Sequence, residues 1–164
     1  VAEVENLFLV EELVRLIALH MGKDSDEIFA VVKRYVIEER FAKQLNTQIC
    51  EGTVAQIKYQ LMCAEISKKN DSEAKLSLDT ALKSIDYDAI RNDQDKKFHD
   101  VLERKEYSEV IRVFNCKNIS KSIGHFFGID NKEYCRLVLA LLKDQKHDEI
   151  IGALQKYIPT DIPR

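Results

Sequence analysis

Apolar positions in this chain recur mostly at helical spacing. Leu13, Leu16, Ile17 and His20 share one face of a segment from Val10 to Met21, and Gly22 stands where a helix would end. A second run opens at Asp24, placed to cap, with Glu27 three residues on to complete a capping box. Ile28, Val32, Tyr35, Val36, Phe41, Leu45 and Ile49 continue it, and Val54, Ile57, Leu61 and Ala64 resume after Gly52. This pattern reads as one helix from Ser25 to about Ser67, about 65 Å long at 1.5 Å per residue, or as two helices broken between Asn46 and Gly52. Near-continuity with a kink is favoured, because one interior glycine costs only about 1 kcal/mol.

Lys68 to Asp71 is a polar stop. Asp71 or Ser72 then caps a helix carrying Leu76, Ala81, Leu82 and Ile85. A helix from about Tyr87 to Glu103 presents Ile90, Phe98, Val101 and Leu102, although its polar stretch from Arg91 to Lys97 also fits a loop. Shorter helices follow: Glu106 to Phe114; Ile119 to Phe127, capped by Asn118 and ended by Gly128; Lys132 to Leu142, capped by Asn131; and His147 to Tyr157, stopped by Pro159. The first residues differ. Val1, Glu3 and Glu5 alternate with Ala2 and Val4 at period two, which predicts a short extended segment. The expected fold is therefore all-α: a helical bundle with one long, kinked helix, several short ones and a short extended N-terminal segment, in a single helical domain over residues 1–164. A lone strand leaves its N–H and C=O groups unpaired. The chain is accordingly expected to be the C-terminal fragment of a larger protein.

With 45% hydrophobic and 32% charged residues, the chain lies in the globular range and outside the disordered one. A net charge of −3 gives no general attraction to nucleic acid or to an anionic membrane. The balance is uneven, since residues 101–164 hold 11 basic and 9 acidic groups. Cys50, Cys63, Cys116 and Cys135 are scattered with no C-x-x-C pair, so buried, reduced thiols in a cytoplasmic protein are expected. No apolar run reaches the roughly 18 residues of a membrane span, so no membrane partner is expected.

Candidate chemistry is sparse. Glu3 and Glu5, on one side of an extended segment, would lie about 7 Å apart and offer oxygens to Mg²⁺. Arg15 and His20 have the R-x4-H spacing of HEPN ribonucleases, which are also helical. However, five helical residues rotate the pair by about 140°, and Leu16 stands where that family usually has a polar residue. Arg91-Asn92 with His99 has the polar follower but seven intervening residues. Around the turn Asn115–Asn118, Lys105, Arg112, Lys117, Lys121 and His125 concentrate basic groups, with Asn118 opening a helix whose N-terminus would attract phosphate. Phe114, Phe126 and Phe127 read as core anchors. No Gly-rich phosphate loop, G-x-S-x-G elbow or H-E-x-x-H motif is present.

The segment Glu3-Val4-Glu5-Asn6-Leu7-Phe8-Leu9 resembles the (I/V)-E-N-(Y/L)-L/F-L stretch of TOPRIM-like domains related to the overcoming-lysogenization-defect nucleases. The nearest likeness is to an uncharacterised bacterial family in which such a domain often follows an ABC-type ATPase. Phe114-Asn115-Cys116-Lys117 resembles a Y-N-x-K turn of the helical tail in that family, and Asn131-Lys132-Glu133-Tyr134 leads into its final helices. The resemblance implies a non-catalytic helical tail that supports assembly or nucleic-acid contact in phage defence or DNA processing. It implies Glu5 as the one residue near a metal and Lys117 as a phosphate contact, which Lys121 and Arg112 of the basic cluster are expected to join. It further implies a missing TOPRIM-like and ATPase portion as the partner, together with DNA and a homo-oligomeric assembly. No cofactor is expected in the fragment, with Mg²⁺ confined to the parent protein.

Overall fold

The computed structural model describes residues 4–143, 146–155 and 157, and every element in it is helical; no strand occurs among the described residues. The α-helices are α1 (Glu11–His20), α2 (Ser25–Arg34), α3 (Leu45–Cys63), α4 (Asp71–Lys83), α5 (Tyr87–Arg104), α6 (Tyr107–Val113), α7 (Asn131–Lys143) and α8 (His147–Gln155). Shorter pieces at Val4–Leu9, Ile119–Ser122 and Gly124–Phe127 are 3-10 turns. The chain forms two compact units, Val1–Lys43 with Arg104–Arg164, and Gln44–Glu103.

Helical backbone runs without a break from α2 through a π turn, Tyr35–Phe41, and a 3-10 turn, Ala42–Gln44, into α3. The long helix expected from the periodicity is therefore present. Its irregularity lies at residues 35–44, ahead of the expected 46–52, and the helix ends at Cys63. The displacement has a physical cause. Val36 and Phe41 are both fully buried yet five residues apart. An α-helix turns them about 140° from each other, whereas i→i+5 bonding stacks them on one side.

Helix ends follow local chemistry. Asp24 Oδ1 accepts from the N–H groups of Asp26 and Glu27 at 2.8 and 2.9 Å, as expected of the cap. Gly22, at φ +66, takes the left-handed position after α1. Other caps differ from expectation. Asn70, and not Asp71 or Ser72, caps α4 by accepting from Glu73 N at 2.9 Å. Asp130 serves α7, accepting from Lys132 N at 2.8 Å. The polar stretch from Arg91 to Lys97 is helical, inside α5.

Two expectations are corrected in the first unit. The predicted extended segment is a 3-10 turn over Val4–Leu9, while residues 1–3 lie outside the described part. Among the described residues no strand is available to pair with it, so a helical turn satisfies more of its backbone groups. The segment from Ile119 to Phe127 is two 3-10 turns and not an α-helix. Gly124, which opens the second, sits against the backbone of Asp130 and Asn131. The core gathers Leu9, Val10, Leu13, Val14, Ile17 and Ala18 with Val32, Phe41, Val110, Phe114, Ile119, Phe127, Tyr134 and Ile150. The inward face of α1 is thus Leu13, Val14, Ile17 and Ala18, and His20 is exposed. α1 packs on α2 and α8, and α7 packs on α8 and both 3-10 turns.

The second unit is thinner. Ile49, Thr53, Ile90, Phe98 and Val101 are buried in α3 and α5, and α4 buries none of its residues. Leu76, Leu78, Leu82, Tyr59 and Met62 stand exposed. Of the cysteines expected to be buried, only Cys116 is; Cys50 and Cys63 are exposed and Cys135 is half-buried. The last turn of α3 carries no covering layer, so its apolar spacing did not bury the thiol of Cys63.

Candidate nucleic-acid interface

Asn6 is the anchor of the region. It is 1% exposed, and its side-chain amide donates to the carbonyls of Ile111 and Phe114, both at 2.8 Å. These oxygens belong to the C-terminal end of α6, where carbonyls lack intrahelical partners. One residue earlier in the chain, the Glu5 carboxylate accepts a hydrogen bond from the backbone N–H of Asn118. Two buried phenols complete the grip. Tyr107 donates to Leu9 O at 2.6 Å, and Tyr134 donates to Phe8 O at 2.9 Å. Burial pushes both phenols above the ordinary tyrosine range.

The segment Glu5–Leu9 and the turn 115–118 are therefore held together by polar bonds spanning about a hundred residues. Asn118 is left-handed at φ 65, a conformation asparagine tolerates. It does not cap the following turn as expected; its side-chain oxygen accepts from Lys121 Nζ. Its N–H is already taken by Glu5, so the turn start does not offer that donor to a phosphate. Arg112, Lys117 and Lys121 are all exposed around this turn, and neither Arg112 nor Lys117 has an ion-pair partner among the described residues. Phe114 and Phe127 are core anchors, as expected, whereas Phe126 is only half-buried.

Glu5, read as the residue nearest a metal, spends its carboxylate on Asn118, and Glu3 lies outside the described residues. Among the described residues no group of three His, Cys, Asp or Glu side chains is placed to hold a metal ion. Arg15 is committed to two carboxylates, at 2.7 Å to Glu11 and 2.5 Å to Asp26, and its guanidinium lies 4.7 Å over the ring of Phe29. The Asp26 and Glu11 hydrogen bonds raise its already high pKa. His20, on the opposite side of the helix end, is exposed. His99 turns back to Asp95, 2.9 Å from its carbonyl, and lies eight residues, or about 12 Å, along α5 from Arg91. Neither arginine–histidine pair converges on a common point.

A second group of side chains gathers around Arg40, a residue that the sequence did not single out. Arg40, in the π turn, donates to Tyr35 Oη at 3.4 Å and to Cys116 Sγ at 3.6 Å. The Cys116 contact is the main cause that raises its pKa further. The Tyr35 ring meets those of Phe126 and His125 at centroid distances of 5.3 and 6.2 Å. His125 is fixed by Asn131, whose Oδ1 accepts from the His125 backbone N–H at 3.0 Å and lies 3.1 Å from Nδ1. Elsewhere, a cavity of about 270 Å³ is lined by Lys33, Arg34, Glu38 and Lys105, and one of about 290 Å³ by Gln56, Gln60, Asp93 and Gln94. Among the described residues no helix is long and apolar enough to cross a membrane.

No family model matches the chain, and no curated protein or solved structure is significantly similar to it.

Proposed function

We propose that this chain is a non-catalytic helical domain of a TOPRIM-like, ATPase-linked bacterial protein, contacting nucleic-acid backbone and supporting assembly in DNA processing or phage defence. One observation carries the reading. Two of the segments that carry the likeness, Glu5-Asn6 and Phe114-Asn115-Cys116-Lys117, lie more than a hundred residues apart, yet Asn6 donates to Phe114 O, and Ile111 and Asn118, which flank the second segment, bond to Asn6 and Glu5. Their union presents Arg112, Lys117 and Lys121 to solvent around one turn. Exposed Lys and Arg with no carboxylate partner are the groups that neutralise phosphates and release counterions. Any Mg²⁺ belongs to the TOPRIM-like portion, and a cytoplasmic location goes with the same reading.

The assembly part rests on α4. A helix that buries none of its residues, with Leu76, Leu78 and Leu82 exposed, gains little from its own unit. A covering partner, either a second copy or the ATPase-linked portion, would supply the missing burial. The HEPN alternative has less support, because Arg15 is bound to two carboxylates and His99 to Asp95.

Fluorescence anisotropy with a labelled duplex tests the reading. The chain should bind at low salt, with affinity falling steeply as salt rises. The combined Arg112→Ala, Lys117→Ala, Lys121→Ala variant should bind more weakly, its salt slope shallower by roughly three phosphate contacts. Equal binding by the variant at every salt concentration would refute the nucleic-acid role. RNA cleavage by the intact chain, lost in His20→Ala or His99→Ala, would transfer the assignment to the HEPN reading.

A further inference from the structure

We infer that Arg40, with Tyr35, His125 and Phe126, forms a seat for the phosphate of a nucleotide. The argument begins with charge. A guanidinium withdrawn from water is costly unless a carboxylate or a full set of acceptors balances it. Arg40 is half-buried, and no carboxylate pairs with it among the described residues. Its Nε is buried without any acceptor. Its two hydrogen bonds go to a phenol at 3.4 Å and a thiol at 3.6 Å, both at the long end of their kind. An oxyanion would replace these weak acceptors with charge-assisted ones, and arginine's planar fork matches a phosphate.

The surroundings add a second requirement. The Tyr35 ring borders Arg40, whose guanidinium carbon lies 5.9 Å from the ring centre, and it also borders Phe126 and His125. His125 is exposed and its Nδ1 faces Asn131, so Nε2 is the ring nitrogen left for a ligand. Phe126 is half-buried beside it. A phosphate with a flat base attached suits this set, since aromatic rings accept stacking from any base. The backbone is irregular here as well: Arg40 lies in the π turn, a kind of insertion often found at functional sites.

For its ligand class the proposal rests on the nucleic-acid reading above. Its test is separate. Inorganic phosphate and adenosine monophosphate are titrated into the intact chain by calorimetry, at ionic strength held constant with chloride. The unaltered chain should bind both, the nucleotide more tightly. Arg40→Met should weaken both by about tenfold or more, the share of one charge-assisted contact. Phe126→Leu should weaken the nucleotide alone. Absence of binding by the unaltered chain, or equal affinity in Arg40→Met, overturns the proposal. Should Arg40→Met fail to fold, the unaltered chain still decides by NMR. Added phosphate should move the His125 ring signals and leave those of His20 and His99 in place; equal movement of all three rejects the site. If the triple lysine–arginine variant loses duplex binding while Arg40→Met leaves phosphate binding intact, only the seat is refuted. Phosphate held at Arg40 without any duplex binding refutes only the broader reading.

Discussion

Replacing Asn6 with alanine tests the central joint of the first unit. The amide nitrogen satisfies two buried carbonyls, Ile111 O and Phe114 O, at 2.8 Å each. Alanine strands both, and an unsatisfied buried acceptor costs about 1–3 kcal/mol. Two of them amount to about 4 kcal/mol at the middle of that range. Against this, Asn6 Oδ1 is itself buried without a partner, and its removal returns about 2 kcal/mol on the same scale. The net loss is about 2–3 kcal/mol once the smaller loss of packing is included. For a chain of this length that is a fall of roughly 5–10 °C in melting temperature. Urea unfolding followed by circular dichroism gives the free energy, and amide hydrogen exchange should locate the loss in α6 and the turn 115–118. Asn6→Asp is the discriminating companion. It keeps the size but removes the donor and sets a carboxylate against two carbonyls, so it must cost more than alanine. A loss below about 0.5 kcal/mol for alanine, the scale of an ordinary surface change, or an aspartate variant no worse than it, would show that the bonds are not what joins the two segments.

Further expectations concern the same unit. Tyr107 and Tyr134 are fully buried, and their folded pKa values are raised above the unfolded value of about 10. Below pH 10 the phenols are protonated in both states; above it the unfolded tyrosines lose protons that the folded ones keep. Stability should therefore be fully present below pH 10 and fall above it by about 1.4 kcal/mol per pH unit for each tyrosine. Tyr107→Phe and Tyr134→Phe should each flatten that alkaline slope in pH-dependent denaturation, and an unchanged slope in both would contradict their burial. Gly124→Ala would put a Cβ 2.4 Å from Asp130 O and 2.7 Å from Asn131 Cα, backbone atoms that cannot swing aside. It should cost about 1–3 kcal/mol and disturb the His125 amide signal, whose partner is Asn131; a stable variant with that signal unmoved would count against the close approach. Arg15→Ala should lower stability by about 1 kcal/mol through its exposed carboxylate pairs and its contact with Phe29 together, and change no nucleic-acid affinity; weakened duplex binding with unchanged stability would reverse the assignment.

What could be read in the sequence follows the range of the interaction. Asp24 and Gly22 act within three or four residues, and the apolar spacing from Ile28 to Ala64 reports on neighbours one turn away. Both were legible, and with them the all-α class and the long helix. The π turn left a trace as well, since the step from Val36 to Phe41 is five where the helix needs four, but that step alone does not tell a widened turn from a break. Asn6 carried a faint signal, a polar residue directly ahead of the apolar run Leu7 to Val10, and buried polar groups need partners. No local pattern could name those partners, because they lie 105 and 108 residues away. The same reasoning explains Arg40. On a helix it looks like any surface arginine, and its partner Cys116 returns only 76 residues later. Period and propensity record what each residue does to its neighbours. A site is made where distant segments leave a polar group incompletely answered, so a sequence can single out candidates such as Lys117, Lys121, Arg112 and Glu5 one by one, but not the place where those segments meet.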